Sequence, residues 1–113
     1  MKTYAVVFAP EAEGDLVELF EYIAGQGSPT NAAKYTEAIV AYCETLATFP
    51  HRGMLRDDIR PGLRVTNFRK RAVIAFQVDD ALARISILGV YYGGRDFERA
   101  LGSFEVGSQD DPG

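Results

Sequence analysis

Apolar side chains along the chain change from a helical period to a strand-like period after about residue 60. Pro10, followed by acidic residues, is typical of a helix start, and the glycines after Ala24 predict its end. Ser28 and Pro29 predict the start of a second helix, which Pro50 ends. The apolar positions recur every three or four residues, as on one face of a helix. They are Ala12, Leu16, Leu19, Phe20 and Ile23, then Tyr35, Ile39, Tyr42, Leu46 and Phe49.

Four segments are typical of β-strands because β-branched and aromatic residues dominate them: 3–8, 63–68, 72–78 and 82–92. Residues 51–62 are predicted to form an irregular connection. In the last strand the alternation predicts one face with Ile85, Ile87, Gly89 and Tyr91. Because the links after residue 62 are short, those strands should pair antiparallel. The expected fold class is α+β: an N-terminal strand, an antiparallel two-helix hairpin and a three-stranded antiparallel meander.

The size and composition of the chain indicate one domain over residues 1–101, followed by a mobile, polar tail over 102–113. The chain has 113 residues, of which 47% are hydrophobic. No apolar run approaches the ~20 residues of a membrane span, and the N-terminus does not resemble a secretory signal. One cysteine forms no internal disulfide, which favours the cytoplasm. We expect the helical hairpin to cover one sheet face and leave the other partly open.

Charge is distributed unevenly along the chain. Residues 1–49 carry two cations and seven acids (net −5), whereas residues 50–71 carry seven cations and two acids (net +5). Residues 72–113 carry three cations and seven acids (net −4). The cluster Arg69-Lys70-Arg71 falls at a predicted turn. We call the positively charged segment over residues 50–71 the basic block. It is either a solvated rim with weak ion pairs or a docking surface for a macromolecule, and the preponderance of arginine favours the second interpretation.

Other chemistry finds little support in the sequence. One histidine and one cysteine do not suffice for a zinc site, and no calcium loop or phosphate-binding loop is present. No metal and no cofactor are therefore expected. Cys43 lies next to the apolar stripe of the second helix and is interpreted as structural. His51 is interpreted as a loop residue.

The chain resembles the RelE/ParE superfamily of type II toxins, and within it the ParE branch. The resemblance rests on an ordered set of short segments between residues 4 and 101. These are 8–13 with Asp15-Leu16, Tyr22-Ile23-Ala24, 46–50 with Gly53, 60–64, and 87–96. It implies a toxin that a cognate ParD-like antitoxin neutralises in a hetero-oligomer. ParE-like members inhibit DNA gyrase by binding, and RelE-like members cleave mRNA on the ribosome.

The resemblance, with the basic block, predicts two alternative sets of functional residues. A gyrase inhibitor would use a target-binding set of Arg64, Arg69, Lys70, Arg71 and Arg95. A ribonuclease would use a catalytic set of Arg64, Arg71, Arg84, Tyr91 and Tyr92. We favour the non-enzymatic inhibitor, because Arg84 comes early in its strand and no histidine lies near the end of the sequence. An interaction module without toxicity is a third hypothesis.

The antitoxin is expected to lay an amphipathic helix against the helical hairpin or to extend a sheet edge. The candidate contacts are Leu16, Leu19, Phe20, Ile23, Tyr35 and Ile39. For each, ordinary packing of the hairpin on the sheet is the alternative. The acidic hairpin favours a basic antitoxin segment. No membrane partner and no sequence-specific DNA binding by the toxin alone are expected.

Overall fold

The computed structural model describes residues 3–93 and Leu101. Its elements follow in the order strand, two helices and four strands. Their bounds are β1 Ala5–Phe8, α1 Pro10–Gly25, α2 Pro29–Thr45, β2 Met54–Leu55, β3 Leu63–Phe68, β4 Ala72–Asp79 and β5 Arg84–Tyr92. The predicted α+β class and element order are confirmed. Arg95 and the predicted tail over 102–113 lie outside the described residues. Within the described part of the chain, no helix has the length and apolarity that crossing a membrane requires.

The five strands form one sheet in the order β1-β5-β4-β3-β2. The predicted meander of β3, β4 and β5 is antiparallel, and β1 pairs with β5 in parallel. Strand β2 lies within the segment predicted to be irregular, so that prediction was wrong at residues 54 and 55. Two residues are too few to produce an alternating pattern. Gly53 before it has φ 83°, and a Cβ there would overlap the Val65 carbonyl oxygen, so the chain needs glycine at this position.

The second helix begins where the sequence predicts and ends earlier. Ser28 caps it, because the hydroxyl accepts a hydrogen bond from the Asn31 N–H at 3.1 Å. It ends at Thr45 rather than at Pro50. The N–H groups of residues 46–48 bond to carbonyls three positions back, which tightens the chain into turns. Leu46 is buried, but Phe49 is 56% exposed, so the buried apolar stripe ends at Leu46 and not at Phe49 as predicted.

The helices pack on one face of the sheet and form the main core. It joins Leu19 of α1 and Ile39 of α2 to the inward side chains of the strands, such as Ile74, Phe76 and Ile87. Alternate residues of β4 point to this face, as a regular strand requires. The hairpin thus covers one side of the sheet as expected.

A β-bulge at Leu88 reverses the alternation of β5. Ala75 pairs with Gly89 while Phe76 pairs with Ile87, so residue 88 has no partner in β4. Val90 therefore points into the main core with Ile87, and Tyr91 points to the other face. The prediction that Gly89 and Tyr91 share a face with Ile85 and Ile87 was wrong, because the extra residue shifts every later side chain.

A second apolar cluster covers part of the face that we expected to be open. Its buried members are Ile59, Leu63, Ala75 and Leu101. Leu101 is 2% exposed, so this residue is held against the sheet face opposite the helices. Ile59 comes from the connection between β2 and β3, which places that connection on the same face.

Candidate functional site

The most concentrated positive charge lies at the turn between β3 and β4. Arg69, Lys70 and Arg71 are all exposed, and we call these three residues the basic tip. Arg69 and Lys70 have φ 51° and 62°, and the Arg71 N–H donates to the Phe68 carbonyl at 3.2 Å. Two successive positive φ values in a four-residue turn are typical of type I′, which favours Asn-Gly. The backbone is therefore strained at Arg69 and Lys70, the two positions that carry cations at this end of the sheet.

Three other arginines of the basic block make contacts within the protein. The Arg64 guanidinium donates to the carbonyls of His51 (2.7 Å) and Arg52 (3.3 Å), which fixes the loop before β2. The Arg56 guanidinium makes two hydrogen bonds to Asp58, which hold the pKa of that carboxyl below its usual value. The Arg52 guanidinium lies over the Phe49 ring, 5.2 Å from its centroid. Within the predicted target-binding set, the three residues of the basic tip are exposed and lie next to one another. Arg64 instead binds backbone carbonyls of the loop before β2.

The predicted ribonuclease set does not converge. Arg84 and Tyr92 stand at opposite ends of β5, roughly 26 Å apart at the usual rise of a strand. Tyr91 and Tyr92 point to opposite faces of the sheet. Arg64 lies at the start of β3, five positions from the basic tip. Only Arg71 and Tyr92 come together, because both line one cleft.

That cleft lies between α1 and the end of β5 and has a volume of about 470 Å³. Besides Arg71 and Tyr92 it is lined by Glu18 and Tyr22, and the rings of Tyr22 and Tyr92 are 6.1 Å apart. Asp15 also lines the cleft, which thus combines an arginine, two carboxylates and two aromatic rings. It offers stacking and ionic contacts to a partner side chain, beside the basic tip.

Asp15 connects α1 to the sheet at the floor of the cleft. Its carboxylate Oδ2 accepts a hydrogen bond from the Val90 N–H at 3.0 Å. Strand β1 ends opposite Ile87, so beyond that point a carboxylate takes the place of a strand partner. Sequence reasoning missed this role, since a helix-start acid looks the same whether it serves the macrodipole or a distant backbone group.

An apolar groove runs along the outer surface of the hairpin, between α1 and α2. Its volume is about 570 Å³, and Val17, which lines it, is 57% exposed. Its lining residues are Leu16, Val17, Phe20, Glu21, Thr36, Glu37, Val40, Ala41 and Glu44. The rim is acidic, because each of its charged members is a glutamate. The groove therefore fits an apolar helix face with basic flanks.

The predicted antitoxin contacts divide between this groove and the core. Leu16 and Phe20 line the groove. Leu19 and Ile39 are buried in the main core, 5% and 0% exposed, so they face the sheet. Ile23 and Tyr35 are partly buried against the same core. Sequence periodicity found the inward stripe of each helix and missed Val17, Val40 and Ala41, which lie beside it.

A third cluster joins three loops at the opposite end of the sheet from the basic tip. The Tyr4 hydroxyl donates to Asp80 at 2.5 Å, and His51 Nε2 lies 3.5 Å from the same oxygen. The hydrogen bond to Asp80 raises the pKa of Tyr4. His51 thus belongs to a contact between loops.

Burial raises the pKa of the Cys43 thiol to about 12. Among residues 3–93 and Leu101, no three histidine, cysteine or acidic side chains are arranged to hold a metal ion.

The fold and these surfaces define a small α+β protein of the RelE/ParE toxin type. Residues 6–97 match the family described as the ParE toxin of the type II toxin–antitoxin system parDE. The chain therefore belongs to the ParE toxin family and is a type II toxin of the ParE/RelE superfamily. No curated protein matches it in sequence.

Solved structures show the same fold. A chain of the chromosomal ParDE system of P. aeruginosa is 21% identical with a TM-score of 0.69, over 80% of this chain and 97% of that one. A chain of the RelBE2 toxin–antitoxin complex of Mycobacterium tuberculosis is 22% identical (TM-score 0.61; 84% and 97%). A variant of the E. coli toxin RelE in the free state is 15% identical (TM-score 0.64; 92% and 98%).

Proposed function

We propose that this protein acts in the cytoplasm and inhibits DNA gyrase by binding it, and that a ParD-like antitoxin neutralises it. Membership of the ParE family supports the choice of target. The observation that carries the mechanism is the basic tip: three exposed cations on a strained turn at one end of the sheet. The turn fixes the backbone from which these three cations project, and their combined charge favours an anionic partner surface.

Gyrase in complex with DNA offers such a surface, because the bound DNA presents phosphates. The test is a supercoiling assay with purified gyrase and antitoxin-free protein. We expect supercoiling to stop and cleaved DNA complexes to accumulate. Full supercoiling at excess protein, without cleaved DNA, would rule out gyrase as the target.

Arg71 and Tyr92 favour one alternative, since a cation and a phenol in the same cleft are part of a ribonuclease inventory. Ribosome-dependent mRNA cleavage predicts cuts in phase with codons after induction, and their loss in a Tyr92→Phe variant. Mapping transcripts beside the supercoiling assay separates the two functions. Uncut mRNA in arrested cells would exclude the ribonuclease.

The antitoxin is proposed to place an amphipathic helix in the groove between α1 and α2. Charge complementarity supports this choice, since a basic flank would face the glutamates of the rim. Val17→Lys adds a charge to the apolar floor and should weaken the antitoxin complex more than tenfold. Val7→Lys is the matched control, since Val7 is 44% exposed on β1, away from the groove. Equal Kd values for the two variants, measured by titration calorimetry, would place the antitoxin elsewhere.

A further inference from the structure

A row of arginines and aromatic rings follows β3 on the side of the sheet that the helices cover. Arg69, in the basic tip, lies over the Phe68 ring, with its guanidinium carbon 4.9 Å from the ring centroid. The Phe68 ring contacts Tyr42 of α2 at 5.5 Å between centroids. The Arg52 guanidinium then lies 5.3 Å from the centre of the Tyr42 ring and 5.2 Å from that of Phe49. These five residues connect the basic tip to the loop before β2, and we call them the arginine–aromatic row.

The alternation of β3 sets the direction and the length of this row. Phe68 belongs to the main core, and Thr66 forms a hydrogen bond with the Tyr42 hydroxyl at 3.0 Å, so both side chains face the helices. Arg64 lies on the same face, and its guanidinium donates to the Arg52 carbonyl at 3.3 Å. Arg64 and Phe68 lie near the two ends of β3, which are roughly 13 Å apart at the usual rise of a strand.

The arginines of this surface carry charge that the protein itself does not neutralise. Counting only the residues that the structure describes, neither Arg52, Arg64 nor Arg69 forms an ion pair. Arg52 is partly exposed, and Phe49 beside it is 56% exposed. A guanidinium that packs on aromatic rings keeps the N–H donors at its edge, and these donors suit phosphate oxygens. The row therefore offers positive charge to an anion outside the protein.

The backbone of duplex DNA matches a linear arrangement of cations. One strand of the duplex carries a phosphate about every 3.4 Å along the helix axis, so a row of roughly 13 Å meets about four phosphates. Arg52 and the three residues of the basic tip supply the same number of cations. Contacts to phosphates carry no sequence information, so such binding would be independent of the DNA sequence.

We propose that the arginine–aromatic row and the basic tip together bind the phosphate backbone of duplex DNA, with Arg52 as the contact farthest from the turn. Phe49 and Tyr42 hold the Arg52 guanidinium in place, and the basic tip neutralises the neighbouring phosphates. The proposal rests on the gyrase function for the source of this DNA, which is the segment that gyrase holds. A toxin that contacts both would bind gyrase more tightly when DNA is present.

Binding of duplex DNA to the antitoxin-free protein tests the proposal without gyrase. The probe is a fluorescein-labelled duplex of about 20 base pairs, and its anisotropy is followed between about 50 and 200 mM salt. Each phosphate contact adds about 0.9 to the steepness of log Kobs against log salt, so about four contacts predict a slope of about −3.6. Arg52→Gln should make the slope shallower by about 0.9 and weaken binding about tenfold at the lowest salt, whereas Arg52→Lys should keep the parent slope.

Arg84→Gln is the matched control, because it removes one exposed arginine from another surface. Arg84 begins β5, and its neighbour Ile85 points into the main core, so Arg84 lies on the sheet face opposite the row. This variant should bind DNA like the parent. Equal losses in Arg52→Gln and Arg84→Gln would overturn the proposal, as would a parent that does not bind at low salt. Binding of poly-glutamate as tight as that of the duplex would overturn it in favour of an acidic protein partner.

The supercoiling assay, performed on the same variants, separates this proposal from the gyrase function. A parent that inhibits gyrase, with DNA binding unchanged by Arg52→Gln, would refute the DNA contact alone. A parent that binds DNA through Arg52 and leaves supercoiling intact would refute the gyrase function and support the DNA contact.

Discussion

The geometry of the basic tip predicts that stability and activity can be changed in opposite directions. In the double variant Arg69→Asn/Lys70→Gly, the residues favoured by a type I′ turn replace two left-handed residues. A non-glycine residue in this conformation costs roughly 1–2 kcal/mol, so the replacement should return about 2 kcal/mol. Arg69 also lies 4.9 Å from the centre of the Phe68 ring, and losing that exposed contact costs about 0.5 kcal/mol.

The net gain is therefore about 1.5 kcal/mol, which corresponds to a rise in Tm of about 6 °C for a domain of this size. The same variant removes two cations from the proposed gyrase contact. At about 1.5 kcal/mol for each charged hydrogen bond, the concentration that half-inhibits supercoiling should rise about a hundredfold. Thermal unfolding followed by circular dichroism and the supercoiling assay measure the two effects.

Lys34→Glu is the control for net charge, because it also lowers the charge by two and Lys34 is exposed on α2. It should inhibit gyrase like the parent. A double variant that is more stable yet equally potent would remove the basic tip from the contact. A double variant with a lower Tm would refute the assignment of strain to the turn.

Four further substitutions or labels test single contacts. Asp15→Ala leaves the buried Val90 N–H without its acceptor and should lower the free energy of unfolding by about 1.5–3 kcal/mol in urea titrations, whereas Asp15→Asn should lower it less. Tyr35→Phe should leave stability unchanged or raise it by up to ~1 kcal/mol, since the buried hydroxyl has no hydrogen-bond partner within the described residues. Gly53→Ala should lower stability by more than about 2 kcal/mol, because it adds a steric overlap to a positive φ. Cys43 should resist iodoacetamide at pH 8 except through unfolding, and rapid labelling of the native protein would contradict its burial.

The elements of this fold could be predicted from local signals, and the errors occur where tertiary contacts decide. Period, caps and breakers located both helices and the three long strands to within a few residues. The bulge at Leu88 has no local signature, because Leu-Gly-Val continues an apolar run in either register. Gly89 is the nearest hint: the Tyr91 ring lies so close over it that a Cβ would overlap the ring.

The candidate surfaces were predictable in outline only. Charge counting located the basic block, but it could not separate the exposed basic tip from Arg64, whose partners are backbone carbonyls. Apolar periodicity selected the inward positions of the hairpin, since burial and docking both require apolar residues. The groove is formed by α1 and α2 together, and its lining includes Val17 and Val40, which lie beside the predicted stripes.

The placement of the two proposed surfaces constrains how an antitoxin could neutralise the toxin. The groove lies on the outer surface of the hairpin, and the basic tip lies at the end of the sheet where Tyr35 of α2 packs on Phe68 at 5.7 Å between ring centroids. A helix that fills the groove therefore leaves the tip uncovered unless its chain continues past the α1–α2 connection. We expect an effective antitoxin to carry basic residues where it lines the groove and acidic residues in that continuation. An antitoxin truncated before the continuation should still bind, yet leave gyrase inhibited.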